Sequence, residues 1–141
     1  MPYQGIFIPR FPKKYVGDVS HIVYRSSWER RFFTYCDQHP GICHWASEEI
    51  VIPYQSPLDG RVHRYFPDVW LESQTLDGIK TFLIEIKPKS QTTLEHAGRS
   101  KINKVHAIVN DAKWKAAAIW AKNNNITFRI LTEDDIFKTN K

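Results

Sequence analysis

The segment TFLIEIKPKS, residues 81–90, restricts the possible folds more than any other part of the chain. Its alternating aromatic and β-branched residues predict a β-strand, whose successive side chains point to opposite faces of a sheet. The hydrophobic face of this strand consists of Phe82, Ile84 and Ile86. Glu85 and Lys87 lie on the other face with Leu83, and Pro88 ends the strand because it has no backbone N–H. The fold must therefore accept a carboxylate and an ammonium side by side at the end of an apolar strand.

The length and composition predict one globular α/β domain over residues 1–141. Hydrophobic residues make up 42% of the chain and aromatic residues 13%, which favours a packed core over disorder. No apolar run approaches the roughly 18 residues that cross a bilayer, so no membrane contact is expected. The N-terminus is broken by prolines and lacks the apolar region of a secretory signal, which predicts synthesis in the cytosol.

The positive charge indicates a polyanionic partner. The net charge is +5, and five basic residues against the single acid Glu95 fall within residues 87–104. These basic residues are Lys87, Lys89, Arg99, Lys101 and Lys104. A solvated basic loop explains this segment equally well when it is taken alone.

A group of potential zinc ligands lies within YCDQHPGICHW, and it comprises Cys36, His39, Cys43 and His44. Four ligands within nine residues leave little loop to close a tetrahedron, and structural zinc sites usually draw on two separated pairs. Cys36 also falls on the apolar side of a predicted helix. Packing around a Pro-Gly turn is therefore expected here, and zinc is not.

Two amphipathic helices are predicted. The first begins at the N-cap Ser26, has Glu29 in the position that completes a capping box, and ends at Pro40-Gly41. Its predicted buried stripe comprises Trp28, Phe32, Tyr35 and Cys36. The second helix lies within residues 104–125. Its predicted buried stripe comprises Val105, Ile108, Val109, Ala112, Ala116, Ile119 and Trp120.

The predicted strands complete an order of helix, three strands, helix and strand, which is typical of a single α/β domain. The strands are predicted at residues 48–56, 61–72, 81–87 and 126–131. Residues 1–23 are predicted to be an irregular basic arm that lies on the domain or on a partner. Residues 24–131 form the predicted core, and residues 132–141 form a C-terminal tail.

A predicted hairpin brings a second carboxylate to Glu85 and Lys87. If Asp77-Gly78 is a two-residue turn, Asp68 falls opposite Lys87 and diagonal to Glu85, with Cβ atoms about 7–8 Å apart on the diagonal. A longer loop changes this register, but any shift that keeps the parity leaves all three side chains on one face.

Two carboxylates this close repel each other unless a positive charge lies between them. Hard cations such as Mg²⁺ bind one or two carboxylates together with waters and substrate phosphates. A bound cation would acidify a water and neutralise charge on a phosphoryl group, while Lys87 could orient that water or stabilise the phosphate. The pattern fits metal-assisted phosphodiester hydrolysis. An ordinary cross-strand salt bridge between Asp68 and Lys87 is the alternative.

Pro67-Asp68, followed seventeen residues later by Glu85-Ile86-Lys87, resembles the signature of the PD-(D/E)xK nuclease superfamily. The resemblance implies a restriction-endonuclease-like αβββαβ core, with a mixed central sheet flanked by helices. The segment YRSSWE, residues 24–29, resembles the head completion nucleases of T-even-like tailed bacteriophages, and more distantly the endonuclease subunit of cut-and-paste transposases. The implied activity is that of a DNA endonuclease that uses Mg²⁺ or Mn²⁺ and acts on phage DNA or its ends during head completion.

The resemblance also implies roles for individual residues. Asp68 and Glu85 would be metal ligands, assisted by the backbone carbonyl of Ile86, and Lys87 would be the catalytic lysine. Glu29 would be the acidic residue that the first helix contributes to the metal site. By local pattern alone Glu29 is a capping-box partner of Ser26, and one carboxylate could serve both purposes.

Basic residues near this site are expected to contact DNA phosphates. They are Arg25, Arg30, Arg31, Lys89, Arg99, Lys101 and Lys104. The expected partners are double-stranded DNA or DNA ends, phage head or portal proteins, and a second copy of the chain if both strands are cut. The expected locations are the host cytoplasm and the virion.

Two other functions remain open at this point. One is a DNA-end-binding or head-plugging structural protein that keeps the fold without using catalysis. The other is a transposase-associated endonuclease, which ranks last because 141 residues leave little room for an extra DNA-binding domain.

Overall fold

The computed structural model describes residues 4–138, which form eight strands and four α-helices. The strands are β1 Gly5–Ile6, β2 Val23–Tyr24, β3 Ile42–Ser47, β4 Ile52–Gln55, β5 Val62–Tyr65, β6 Val69–Thr75, β7 Gly78–Ile86 and β8 Thr127–Leu131. The helices are α1 Ser27–Gln38, α2 Leu94–Ala97, α3 Lys101–Asn123 and α4 Glu133–Lys138.

The central sheet has the strand order β3-β6-β7-β8. β6 is antiparallel to both β3 and β7, whereas β8 runs parallel to β7. α1 covers one face, where Phe33 and Trp45 are fully buried with Ile84. α3 covers the other face, where Trp114 packs near Leu83. The predicted mixed sheet flanked by helices is confirmed, and so is the alternation of faces along β7.

The predicted strand positions need three corrections. β3, which lies at one edge of the central sheet, was not predicted because ICHWAS mixes polar and apolar residues without a clear period. The strand predicted at residues 48–56 is reduced to β4 and pairs with β5 in a separate two-stranded sheet. The strand predicted at residues 61–72 is two strands, because the chain leaves the β4–β5 sheet at Phe66, Pro67 and Asp68 before it enters β6.

The register of the β6–β7 hairpin also differs from the prediction. Thr75 pairs with Gly78 and Val69 pairs with Ile84, so the turn residues are Leu76 and Asp77 rather than Asp77 and Gly78. Gly78 has a φ of 104°, which other residues rarely adopt. Continued by one residue, this register places Asp68 across from Glu85 rather than from Lys87. The shift is two residues, so the parity and the shared face are kept.

The first helix begins and ends as predicted. The Ser26 Oγ accepts a hydrogen bond from the Glu29 N–H at 3.1 Å, which is the expected N-cap. Phe32 and Cys36 are buried as predicted, and Phe33, which was left out of the predicted stripe, is also fully buried.

The buried face of α3 differs from the predicted stripe. The helix buries Ala107, Asn110, Trp114, Ala117 and Ala121. From the predicted stripe, Val105, Ile108 and Ile119 are exposed. The prediction followed the largest aliphatic residues, whereas the helix approaches the sheet through its alanines, which allow close packing around Trp114.

The N-terminal segment lies on the domain. Phe7, Tyr15 and Ile22 are buried in the core around α1, and β1 pairs with β2. The backbone N–H groups of Arg10 and Phe11 donate to the buried carboxylate of Asp37 at 2.8 and 2.9 Å. Residues 1–3 of the predicted arm lie outside the described residues.

The predicted C-terminal tail begins with α4. Its Ile136 is buried in the core beside α1, and residues 139–141 lie outside the described part of the chain. Among the residues that the structure describes, no helix combines the length and apolar character needed to cross a membrane.

Candidate active site

Asp68 and Glu85 face each other where β6 begins and β7 ends. The Asp68 Oδ2 accepts a hydrogen bond from the Ile86 N–H at 2.7 Å, which anchors this carboxylate to β7. The Glu85 side chain is buried, with 3% of the residue exposed, whereas Asp68 is partly exposed. Burial and the neighbouring Glu85 carboxylate raise the pKa of Asp68, and burial raises the pKa of Glu85. The two carboxylates are therefore held together at an electrostatic cost.

Three buried polar atoms beside this pair make no hydrogen bond of acceptable length and angle within residues 4–138, although Tyr65 lies near both Glu85 and Trp114. They are Glu85 Oε1, Tyr65 Oη and Trp114 Nε1. An unsatisfied buried polar group costs roughly 1–3 kcal/mol, so native proteins retain few of them. Burial, and after it the nearby Glu85 and Asp68 carboxylates, raise the pKa of the Tyr65 hydroxyl. Free carboxylate oxygen at a closely spaced acidic pair is the donor chemistry that suits a hard divalent cation.

Lys87 follows the carboxylate pair at the end of β7. Its N–H donates to the Leu131 carbonyl of β8 at 3.0 Å, and its side chain is half-buried. The Lys87 charge offsets part of the rise in the pKa of both Asp68 and Glu85. No salt bridge of 4.0 Å or less joins Lys87 to Asp68 among the described residues. The ordinary cross-strand ion pair between Asp68 and Lys87, which was the alternative interpretation, is therefore not formed.

Glu29 lies in the first turn of α1, within electrostatic range of Asp68. Burial and the Asp68 carboxylate raise the pKa of Glu29 to about 7. The same carboxylate is also a capping group, because its Oε1 accepts a hydrogen bond from the Arg25 N–H at 3.3 Å. The two interpretations of Glu29 are compatible in this geometry.

A cleft of about 300 Å³ opens between the N-terminus of α1 and the end of β7. It is lined by Ser26, Ser27, Trp28, Glu29, Ile86, Lys87, Pro88 and Gln91. The N-terminus of a helix carries partial positive charge and, with the Lys87 ammonium, favours an anion such as a phosphate.

The basic residues predicted to contact DNA fall into two groups. Arg25 forms a bidentate ion pair with Glu48 at 3.1 and 3.2 Å, and Arg30 lies 5.5 Å from the centre of the Tyr24 ring. The Lys89 ammonium forms an ion pair with Asp134 at the start of α4. The other four lie on α1 and around the N-terminus of α3, and they are Arg31, Arg99, Lys101 and Lys104. All seven basic residues are exposed.

The Cys and His residues of the YCDQHPGICHW segment have separate environments. Cys36 is fully buried in the core, the His39 Nδ1 accepts a hydrogen bond from the Gly41 N–H at 3.0 Å, and His44 lies 2.9 Å from Glu72. Within residues 4–138, no three His, Cys, Asp or Glu side chains are arranged to hold a metal ion. Asp68 and Glu85 are therefore the two carboxylate donors at this site, and Mg²⁺ is commonly bound by one or two protein carboxylates.

Three residues at the site, Lys113, Tyr65 and Glu48, were not predicted from the sequence. Lys113 of α3 lies 5.6 Å from the centre of the Tyr65 ring and 5.8 Å from that of Tyr54, and it is within electrostatic reach of both carboxylates. Glu48, at a φ of 55°, donates its N–H to the Asp68 carbonyl at 3.2 Å. No short motif marks these residues, because their contacts depend on how α3, β3 and β5 pack around β7.

Comparison with known proteins gives two matches. Residues 39–133 match the sequence model of a family described as "TnsA-like endonuclease N terminal". Over 145 aligned residues the chain is 41% identical to the head completion nuclease of Enterobacteria phage T4, and the match covers 96% of this chain and 95% of that protein. No solved structure gives a significant match.

The two matches together include every residue of the site. Asp68, Glu85, Lys87 and Lys113 fall within the family match, whereas Glu29 precedes it and is included only in the match to the T4 protein. The chain therefore belongs to the TnsA-like endonuclease N-terminal family, whose fold is restriction-endonuclease-like, and it is a homologue of the head completion nuclease of phage T4.

Proposed function

We propose that this protein is a divalent-metal-dependent DNA endonuclease that hydrolyses phosphodiester bonds in phage DNA or at its ends during head completion. One observation carries the proposal. Asp68 and Glu85 are held against each other with a free buried oxygen, beside a lysine that forms no ion pair with Asp68. The family and the name of the T4 relative support the same activity.

The proposed ion is Mg²⁺ or Mn²⁺, held by Asp68 and Glu85. The Ile86 carbonyl and Glu29 are the further proposed donors, and Glu29 would have to move toward the ion, because it forms no three-carboxylate group with the pair among the described residues. When bound, such an ion acidifies a water and offsets negative charge on the phosphate. The side chains and backbone of the protein position the ion and bind the phosphate. The hydrogen bond from the Ile86 N–H to Oδ2 fixes the Asp68 carboxylate.

Lys87 is proposed to bind the phosphate that is cut. Lys87 lines the cleft beside the N-terminus of α1, where its ammonium would donate to a non-bridging oxygen and stabilise the charge that develops there. The half-buried position of Lys87 limits competition from water, which strengthens this interaction.

The DNA path is proposed to run over the exposed basic residues of α1 and the N-terminal end of α3. Phosphate contacts there would release counterions, so the binding constant should fall as salt is raised. The further proposed partners are phage head or portal proteins in the host cytoplasm or the virion. A homodimer is proposed where both strands are cut.

Cleavage of supercoiled and linear duplex DNA in Mg²⁺, Mn²⁺ or EDTA tests the activity. The wild type should cut DNA with either ion and not in EDTA, and Asp68→Ala and Lys87→Ala should not cut. Lys80→Ala is the matched control, because Lys80 belongs to the same strand at its far end. Wild-type protein that cuts no more than Asp68→Ala, across metals and substrates, would refute the proposal.

The biological role is tested in the phage. A phage that carries Asp68→Ala should fail to produce filled, infectious heads if cleavage is required. Normal heads from this mutant would instead assign the protein a DNA-end-binding or head-plugging role, in which the fold is used without catalysis.

A further inference from the structure

We infer that Lys113 is a second substrate-contacting lysine, whose ammonium donates to a phosphate oxygen of DNA bound at the Asp68–Glu85 pair. The inference rests on the proposed nuclease function and adds a residue from a different element. Lys87 reaches the site from β7, whereas Lys113 reaches it from α3, on the side where Tyr65 lies.

Lys113 is held by aromatic rings rather than by a carboxylate. Its Nζ lies 5.6 Å from the centre of the Tyr65 ring and 5.8 Å from the centre of the Tyr54 ring, and both tyrosines are buried. Cation–π contacts of this kind fix an ammonium without using up its N–H groups as an ion pair does. No acidic oxygen lies within 4.0 Å of the Lys113 Nζ in the described part of the chain.

A neighbouring lysine on the same helix shows the difference. Lys115 is exposed and forms an ion pair with Asp111 at 2.9 Å, one turn before it. Lys113 is half-buried and points toward the β4–β5 sheet. Keeping an ammonium partly desolvated without an ion pair costs free energy, so its position favours an anion that arrives from outside.

The charges around the site favour a phosphate between the two lysines. Asp68 and Glu85 supply two negative charges when ionised, and Lys87 and Lys113 supply two positive charges within reach of them. A bound divalent cation would then leave the site net positive. The diester phosphate of DNA carries one negative charge and has two non-bridging oxygens, so it can accept a hydrogen bond from each lysine.

The test replaces Lys113 with Met, which keeps the length and the contact with the rings but removes the charge. Cleavage by K113M in Mg²⁺ should fall about 100-fold in kcat, the usual effect of removing one donor to a developing charge. Lys115→Met is the matched control and should keep the wild-type rate. Thermal unfolding of K113M should stay close to the wild type, which separates loss of charge from loss of structure.

A second readout does not depend on catalysis. Binding of a fluorescent duplex in EDTA is measured against salt concentration for the wild type, K113M and K115M. One lost phosphate contact should reduce the slope of log K against log salt by about 0.9 in K113M and leave the K115M slope unchanged. Lys113→Gln, which keeps a polar end without charge, should behave as K113M does, and it replaces K113M if the latter does not fold.

The outcomes are distinct from those that test the proposed function. A wild type that does not cut DNA refutes the nuclease proposal itself. A wild type that cuts, together with a folded K113M that keeps the wild-type rate or salt slope, overturns the role of Lys113 alone.

Discussion

The β6–β7 hairpin carries acidic and basic side chains at both of its ends, and the two ends differ in burial. At the turn, Lys80 and Asp77 form an ion pair of 3.8 Å with side chains that are 52% and 82% exposed. At the other end, Glu85 is buried against Asp68, and Lys87 is half-buried without an ion pair to Asp68. Similar residue types thus give a weak solvated contact at one end and a charged cluster with raised carboxylate pKa values at the other.

The difference arises from what covers each end. At the turn no described residue covers Leu76, which is fully exposed. At the other end Glu85 is buried, with Tyr65 of β5 and Lys113 of α3 near it. Charges in that environment interact more strongly than charges in water, which is why the same chemistry becomes useful only there.

The largest expected effect comes from replacing the lysine at each end of the hairpin with methionine and comparing the two variants. Lys87→Met should reduce the cleavage rate in Mg²⁺ about 100-fold or more, because it removes a donor next to the phosphate in a partly desolvated site. Lys80→Met should leave the rate within twofold of the wild type, since Lys80 is exposed at the turn. Equal rates for the two variants in a plasmid-nicking time course would remove the functional distinction between the ends.

A divalent cation should stabilise one end of the hairpin and not the other. Mn²⁺ at about 100 times its dissociation constant should add about 2.7 kcal/mol to the free energy of unfolding of the wild type. The gain should vanish in Asp68→Asn combined with Glu85→Gln and persist in Asp77→Asn. Denaturant unfolding with Mn²⁺ and with EDTA measures it, and a full gain in the double variant would place the ion elsewhere.

The acidic residues and the lysine at the buried end could be predicted from the sequence better than the residues that surround them. The parity of a strand decides that Asp68, Glu85 and Lys87 share a face, and this survived a register error of two residues. The N-cap at Ser26 likewise follows from local pattern. Local sequence pattern is therefore sufficient to predict the site residues that lie on one hairpin and at one helix end.

The residues that surround the site come together only through tertiary packing, which local sequence pattern does not encode. Lys113 and Tyr65 belong to elements that meet only after α3 docks on the sheet, and the predicted face of α3 was wrong. In an alanine-rich helix several stripes are almost equally apolar, so residue size is a poor guide to the buried face. β3 was not predicted because its burial comes from its neighbours α1 and β6 rather than from an alternating pattern.

The pH dependence of stability should report Glu29 at the buried end. Its folded-state pKa is raised to about 7 from an ordinary value of 4.5, so the folded state holds a proton that the unfolded state loses first. This contribution is present in full below about pH 4.5 and is lost as the pH rises through 7. In metal-free protein, Glu29→Gln should therefore gain stability relative to the wild type between these pH values.

The gain should be on the order of 1 kcal/mol, because Glu29 is partly exposed and solvent screens part of the interaction. Urea unfolding at pH 5 and pH 8 in EDTA measures it, with Asp77→Asn as the control at the turn. A difference between Glu29→Gln and wild type that does not grow with pH would contradict the burial of this carboxylate beside Asp68.

The smallest effect is expected from breaking the ion pair at the turn. Exposed pairs contribute between about 0 and 1 kcal/mol, because the solvated charges interact weakly and the side chains lose conformational freedom. Lys80→Ala should therefore change the free energy of unfolding by less than about 0.5 kcal/mol, and 0.5 M salt should reduce that change further. Urea unfolding of Lys80→Ala, Asp77→Ala and the double variant gives the coupling energy directly. A coupling above about 1 kcal/mol would mean that charge pairs at the exposed end are as strongly linked as those at the buried end, and burial would no longer explain the contrast between them.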